Sequence, residues 1–266
     1  MKILAMGTCC VDVYPQKNVV TPGGEALNIA AQLSSRSDVD VYLMAMIGDD
    51  NFADKILESI REFNIDTKHL YQVEGETANH VIQISKQGDR YFESGSWHGG
   101  VSANLSMNEN DISLLSEVNA VMVTLWEPNL KDLLKLKNKN DYLVAVDFND
   151  QRDFTNWVGL FDDIDIFFSS AEESMKKTFL EKSKTSNTIF VLTFGENGSV
   201  AYHKGHIFEC AAVNVANVID TTGCGDCYQG HFVAEYLKTS DIKLSMQQAT
   251  VEAAKVTAHV GGFKIN

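Results

Sequence analysis

A chain of 266 residues that is 44% hydrophobic and 22% charged, with only three prolines, can build one large core, or one core with a small appendage. Its formal net charge of −14 excludes nucleic acid and anionic membrane as main partners, and any phosphorylated ligand would need a locally positive site and a metal ion. No run reaches the roughly 18 apolar residues of a membrane span, and five cysteines, an odd number, point to reduced thiols in the cytoplasm rather than a disulfide framework.

In chain order, residues 2–6 read as a buried strand. The opening is also faintly like a signal peptide, but no small-residue cleavage pattern precedes Asp12. Asp12 is a loop acid or a carboxylate placed to accept bonds from sugar hydroxyls. Thr21-Pro-Gly-Gly-Glu-Ala-Leu-Asn28 opens a helix on which Ala26, Leu27, Ala30 and Leu33 share a face. Gly23 and Gly24 either serve a proline-initiated turn and cap or let a polyol approach the backbone, with Asn28 one turn in as a hydrogen-bonding side chain. A strand at 41–47 leads to an amphipathic helix carrying Phe52, Ile56, Leu57, Ile60 and Phe63 on one face. Residues 71–98 give short alternating runs split at Glu74-Gly75-Glu76 and Gln87-Gly88-Asp89, which read as hairpin turns. Such a patch predicts a small satellite sheet that must bury its apolar face on a cleft or on a second copy. Glu25, Glu74 and Glu76 read as solvated surface acids, or alternatively as counter-ions for an aminated ligand.

Near-continuous apolar runs at 120–125, 142–148, 164–168 and 189–194 suit parallel strands buried on both faces. Repeated βα units predict a three-layer α/β/α domain with a mostly parallel central sheet, ligands lying at the carboxyl ends of its strands. Thr193-Phe-Gly195-Glu-Asn-Gly198 is an ordinary hairpin turn or a backbone shelf for a nucleotide. The densest signal is Asp220-Thr-Thr-Gly-Cys-Gly-Asp226, where a strand gives way to a helix over 225–238, followed by another over 243–259. Glycines at a helix N-terminus expose N–H groups to an anion. Asp226 is then either a helix-terminal acid or a base for a hydroxyl beside a phosphate. A dinucleotide fingerprint fails because position 228 is Tyr, and no phosphate-loop lysine motif is present. Cys224-Gly-Asp-Cys227 leaves a different class open: a thiol-disulfide protein with a depressed thiolate at the helix start.

Together, and in this order, the segments resemble the ribokinase-type (PfkB) sugar kinases. Gly23-Gly24 with Asn28 is similar to that family's amino-terminal signature, Ile47-Gly-Asp-Asp50 to its next landmark, and Asp147-Phe-Asn149 with Arg152 to its Asp-x-Asn-x-x-Arg segment. Thr193-x-Gly195-x-x-Gly198 and Asp220-Thr-x-Gly-x-Gly-Asp226 complete it. The resemblance implies one ribokinase-like kinase domain over 1–266, with a β lid from about 12–22 and 71–98 that pairs two subunits. It implies ATP and magnesium, Asp226 as base, and backbone N–H groups of Gly223, Cys224 and Gly225 as the anion hole. Asp12, Gly23, Gly24, Asn28, Arg90 and Trp126 would bind the acceptor; Thr193, Gly195, Gly198 and Gly225 would line the nucleotide. Cys224 stands where the family has Ala, and Ser170 replaces the Asn of its metal-linked Asn-x-x-Glu, leaving Glu173 for the metal. The short 12–22 connection and the Trp126-Glu-Pro region resemble the branch that phosphorylates fructoselysine, or a related fructosamine, at the 6-hydroxyl. Fructose, ribose and adenosine remain alternative acceptors.

Overall fold

Alternate side chains of the first strand, β1 (Lys2–Gly7), enter two separate cores, Ile3 and Ala5 one of them, Leu4 and Met6 the other. A strand apolar on both faces must be covered on both, and this sets the architecture of the computed structural model, which describes residues 1–85 and 90–265, with the backbone alone for Glu93. Among the described residues a nine-stranded sheet has seven parallel members in the order β5 (Ile65–Gln72), β4 (Asp40–Ile47), β1, β8 (Ala120–Thr124), β9 (Leu143–Asp147), β10 (Ile166–Ser170) and β11 (Ile189–Thr193). The antiparallel strands β12 (Ser199–His203) and β13 (His206–Cys210) extend it at one edge. One face is covered by α1 (Glu25–Leu33), α2 (Asn51–Ile60), α6 (Cys224–Thr239) and α7 (Ile242–Val256). The other is covered by α3 (Glu109–Leu115), α4 (Leu130–Lys137) and α5 (Lys176–Ser183). The three-layer arrangement expected from the apolar runs is thus observed.

A second sheet stands apart, ordered β3 (Val19–Gly23), β2 (Cys10–Tyr14), β6 (Ala78–Ile84) and β7 (Arg90–His98). The turn expected at Glu74-Gly75-Glu76 is not a hairpin: β5 before it belongs to the main sheet and β6 after it to the small one. The reason is a strap from the 47–50 segment. Asp49 accepts the Gly75 N–H, Asp50 accepts the Thr77 N–H, and Thr77 Oγ1 accepts the Gly48 N–H, each at 3.0 Å. The second turn, Gln87-Gly88-Asp89, lies outside the described residues. The strand expected at 164–168 is displaced to Ile166–Ser170, in register with β11 from Ile189 to Thr193. No helix among the described residues is long and apolar enough to cross a membrane.

One packing detail positions the site. Gly230, in the middle of α6, lies against Ile29 and Leu33 of α1, where an added Cβ would sit 3.3 Å from Leu33 Cγ. The small residue lets the two helices approach closely, and this sets the N-terminal turn of α6 beside that of α1.

Candidate active site

The loop entering α6 is built around Asp220, whose side chain is fully buried. Its carboxylate accepts the Thr222 N–H at 2.9 Å, the Thr222 hydroxyl at 2.7 Å and the Gly261 N–H at 2.9 Å. Tyr14 of β2 donates to Thr222 Oγ1 at 3.2 Å, and the Arg90 N–H of β7 donates to Thr221 Oγ1 at 3.3 Å. The small sheet is therefore tied directly to the glycine turn. Gly223, at φ +77°, presses on the C-terminal loop: an added Cβ would lie 2.4 Å from Gly262 Cα. Only glycine meets both conditions. The Cys224 N–H turns back to the Thr221 carbonyl at 3.2 Å, whereas beside Gly225 a Cβ would meet nothing within 4 Å. The positive end of a 16-residue helix thus opens onto free space.

Asp226, in the first turn of α6, is buried, and its Oδ2 accepts the Asn28 Nδ2 hydrogen at 2.7 Å. Burial raises the pKa of this carboxyl above the usual range, against the opposing pull of Arg90 and of the Asn28 bond. Asp12 on β2 lies against Gly23 so closely that an added Cβ there would be 2.3 Å from its carboxylate. Burial pushes Asp12 up to about 7, with Arg90 again opposing and Asp226 adding to the rise. Gly24 caps α1 at φ +95°, over the Thr8 carbonyl. Asp12, Gly23, Gly24, Asn28, Arg90 and the 223–226 turn, singled out separately in the sequence, converge on one cleft between the small sheet and the N-termini of α1 and α6.

Asp147, Asn149 and Glu25, named separately in the sequence, form a second web that also takes in Gln229, which the sequence reading did not single out. Asn149, at φ 50° just past β9, donates its side-chain amide to Glu25 Oε1 at 2.7 Å and to Asp147 Oδ2 at 3.2 Å. Gln229 of α6 donates to the same Asp147 oxygen at 2.7 Å, and the Asn149 N–H binds Asp147 Oδ1 at 2.7 Å. Burial and the neighbouring Asp226 push Glu25 up to about 8, and burial pushes Asp147 up to about 6. Glu25 is therefore no solvated surface acid, a correction to the first expectation for it. It borders a cavity of about 10 Å³, lined also by Thr124, Asp147 and Gln229, about room for one water.

These raised carboxyls have a consequence for stability. Between about pH 6.5 and 8.5 the native state holds protons on Glu25 and Asp12 that the unfolded chain has already released. Stability must therefore fall as pH rises through this window. The window lies above the range where the depressed His80 and His231, each near 4, would act in the opposite sense. Thermal melts of the ligand-free protein are expected to show a lower midpoint at pH 8.5 than at pH 6.5; a rising midpoint contradicts the assignment.

The remaining candidates follow the carboxyl ends of β8, β10 and β11. Thr193 ends β11, and Gly195 and Gly198, at φ +57° and +87°, turn the chain into β12. Ser199 then bonds Tyr228 of α6 at 2.9 Å, holding this turn beside the helix. Trp126 is 63% exposed and packs edge-to-face on Trp157 at 5.9 Å, two residues past Thr124 at the end of β8. Glu173 is exposed and paired with Lys176 at 2.8 Å, two residues past Ala171, whose N–H binds the Thr193 carbonyl. Among the described residues no group of three or more His, Cys, Asp or Glu could hold a metal ion. A magnesium ion carried by a nucleotide needs only one or two carboxylates beyond phosphate and water, and the Glu173 carboxylate is compatible with that. Burial pushes Cys224 up to about 12 and also raises Cys227. The depressed thiolate expected at the helix start is absent, because burial outweighs the helix terminus.

The sequence profile of the family described as pfkB family carbohydrate kinase matches residues 8–264. The fructoselysine 6-kinase of Shigella flexneri is 30% identical over 268 residues, covering 99% of this chain and 100% of its own length. The fructosamine kinase FrlD of Bacillus subtilis is 26% identical over 273 residues, covering 99% of this chain and 93% of that one. Among solved structures, Arabidopsis thaliana ribokinase complexed with ribose and ATP superposes with a TM-score of 0.80 at 17% identity, covering 98% of this chain and 93% of that one.

Proposed function

The chain belongs to the pfkB family of carbohydrate kinases, and on that premise we propose that it transfers the γ-phosphoryl group of ATP to the 6-hydroxyl of fructoselysine or a related fructosamine. The observation that carries the reading is the Asn28–Asp226 bond of 2.7 Å beside the open space at Gly225. A carboxylate fixed by one neutral amide, one residue from an exposed helix N-terminus, can take a proton while the attacked phosphoryl group is held by N–H groups.

In this mechanism Asp226 accepts the proton of the attacking hydroxyl, and burial, by raising its pKa, makes it a stronger proton acceptor than an exposed carboxylate. The turn from Gly223 to Gly225 receives the charge on the transferring group. Asp12, Gly23, Gly24 and Asn28 hold the other hydroxyls. Arg90, tethered to Thr221 by its own N–H, supplies positive charge at the same edge. Thr193, Gly195 and Gly198 line the nucleotide. Glu173 would hold the magnesium that accompanies ATP, an ion that would supply charge neutralisation to the phosphates. Phosphoryl transfer of this kind depends on positioning and charge stabilisation, so the protein needs no covalent intermediate. The raised thiols weaken the thiol-disulfide alternative for Cys224 and Cys227, and five unpaired cysteines agree with a reducing cytoplasm. Val19, Tyr91, Phe92 and Trp97, left exposed on the edge strands of the small sheet, support a homodimer joined through that sheet.

The test is ADP release with magnesium across fructoselysine, other fructosamines, fructose, ribose and adenosine. A fructosamine is expected to give the highest kcat/KM; a preference for ribose or adenosine contradicts the substrate while leaving the family intact.

A further inference from the structure

We propose that the cleft is built for an acceptor carrying an ammonium group, with Glu25 as its counter-ion and Trp126 as the apolar wall beside it; the assignment rests on the kinase reading above. Asp12, Glu25, Asp147 and Asp226 face one another closely enough for the Asp226 charge to raise the other three. None of the four makes an ion pair with the described residues, whose ion pairs lie elsewhere. Asn28, Asn149 and Gln229 instead donate to Asp226, Glu25 and Asp147. Neutral amides orient a carboxylate without supplying a counter-charge, so the crowding of acids that keeps protons on Glu25 and Asp12 is relieved by an incoming cation and not by a neutral sugar.

The four acids are not equivalent. Both oxygens of Asp147 are occupied by Asn149 and Gln229. Asp226 is committed to the attacking hydroxyl, and Asp12 is pressed against Gly23. Glu25 makes its one bond to the described residues through Oε1, and its side chain is partly open to the cleft. Arg90 is the cation at this edge among the described residues, but its backbone is fastened to the glycine turn, where an incoming phosphate would claim its charge. A separate observation also calls for a donor-rich ligand: Asn28, only 4% exposed, keeps Oδ1 buried without any hydrogen-bond partner while its Nδ2 holds Asp226. A ligand with hydroxyl and ammonium hydrogens satisfies that acceptor and the acids together. The chain leaves the Glu25 cavity wall at Thr124 and, two residues on, presents the exposed Trp126, packed edge-to-face on Trp157. An exposed indole two residues past the wall shared by Glu25 and Thr124 suits an alkylammonium arm.

The test compares kcat/KM for fructoselysine and for fructose, a neutral acceptor with a comparable hydroxyl, in wild type, Glu25→Gln and Glu25→Asp. Loss of one partner from a buried charge pair is expected to collapse the fructoselysine-over-fructose ratio by about 30-fold or more in Glu25→Gln, chiefly through KM. Glu25→Asp is expected to recover part of it. An unchanged ratio in Glu25→Gln overturns the assignment, as does a wild type that phosphorylates neutral sugars with no preference for the amine. Calorimetric binding of the two acceptors to both proteins reads the same preference without turnover. If no acceptor is phosphorylated yet the amine still binds better and loses that advantage in Glu25→Gln, the kinase reading fails while the cation site stands.

Discussion

Gly225→Ala is expected to fold at least as stably as the wild type and to lose about 10²-fold in kcat, whereas Gly223→Ala is expected to lose stability first. The two glycines flank one cysteine and differ in backbone conformation and in what surrounds them. Gly225 has ordinary helical backbone and open space where a Cβ would go. Alanine there should gain roughly 0.5–1 kcal/mol from reduced chain entropy. The new methyl would stand in the space assigned to the phosphoryl group, and displacing it from one N–H donor costs about 10²–10³ in rate. Gly223 sits at φ +77° with Gly262 Cα 2.4 Å from a would-be Cβ. Left-handed strain of about 1–2 kcal/mol and overpacking of about 1–3 kcal/mol combine there. Melting curves and steady-state rates on both variants separate the effects. A fully active Gly225→Ala would mean that the phosphoryl group lies elsewhere.

How much of this was legible in the sequence depended on how far each residue's environment lay along the chain. The central strands were readable because they are apolar throughout; every residue of β8 is buried. β5 was not, since Ile65-Asp-Thr-Lys-His-Leu-Tyr-Gln72 is a half-exposed edge strand with no clean alternation. Helices α3 to α5 are seven or eight residues long, and Lys176-Lys-Thr-Phe-Leu-Glu-Lys-Ser183 has only a short apolar stripe. The glycine-rich turns that converge on the cleft were visible as motifs because their chemistry is local. Glu25 was misread because the partner that orients it, Asn149, is 124 positions away. Cys224 was misread for a similar reason: a helix start argues for a lowered thiol pKa, and burial by distant segments reverses it. The Gly261-Gly262 pair, pressed against Thr21, Gly223 and Asn28, could have been noticed as adjacent glycines after the last helix.

The second large effect concerns Asp226 itself. Asparagine keeps the size and can still accept the Asn28 amide hydrogen, so the 2.7 Å contact has an uncharged equivalent. Because burial disfavours the charged form of this group, removing the charge should not lower the melting temperature. What disappears is the proton acceptor, a contribution of about 10²–10⁴ in rate for a positioned base. Nucleotide affinity, set by the helix terminus and the 193–198 turn, should stay within about 2-fold, far below the 10-fold that 1.4 kcal/mol would bring. The decisive measurement is ADP release with fructoselysine at saturating magnesium-ATP, wild type against Asp226→Asn, with the nucleotide Kd of both proteins measured alongside. Turnover that falls at least about 10²-fold in Asp226→Asn, with Kd unchanged, is the predicted result; comparable turnover in the two proteins contradicts the account.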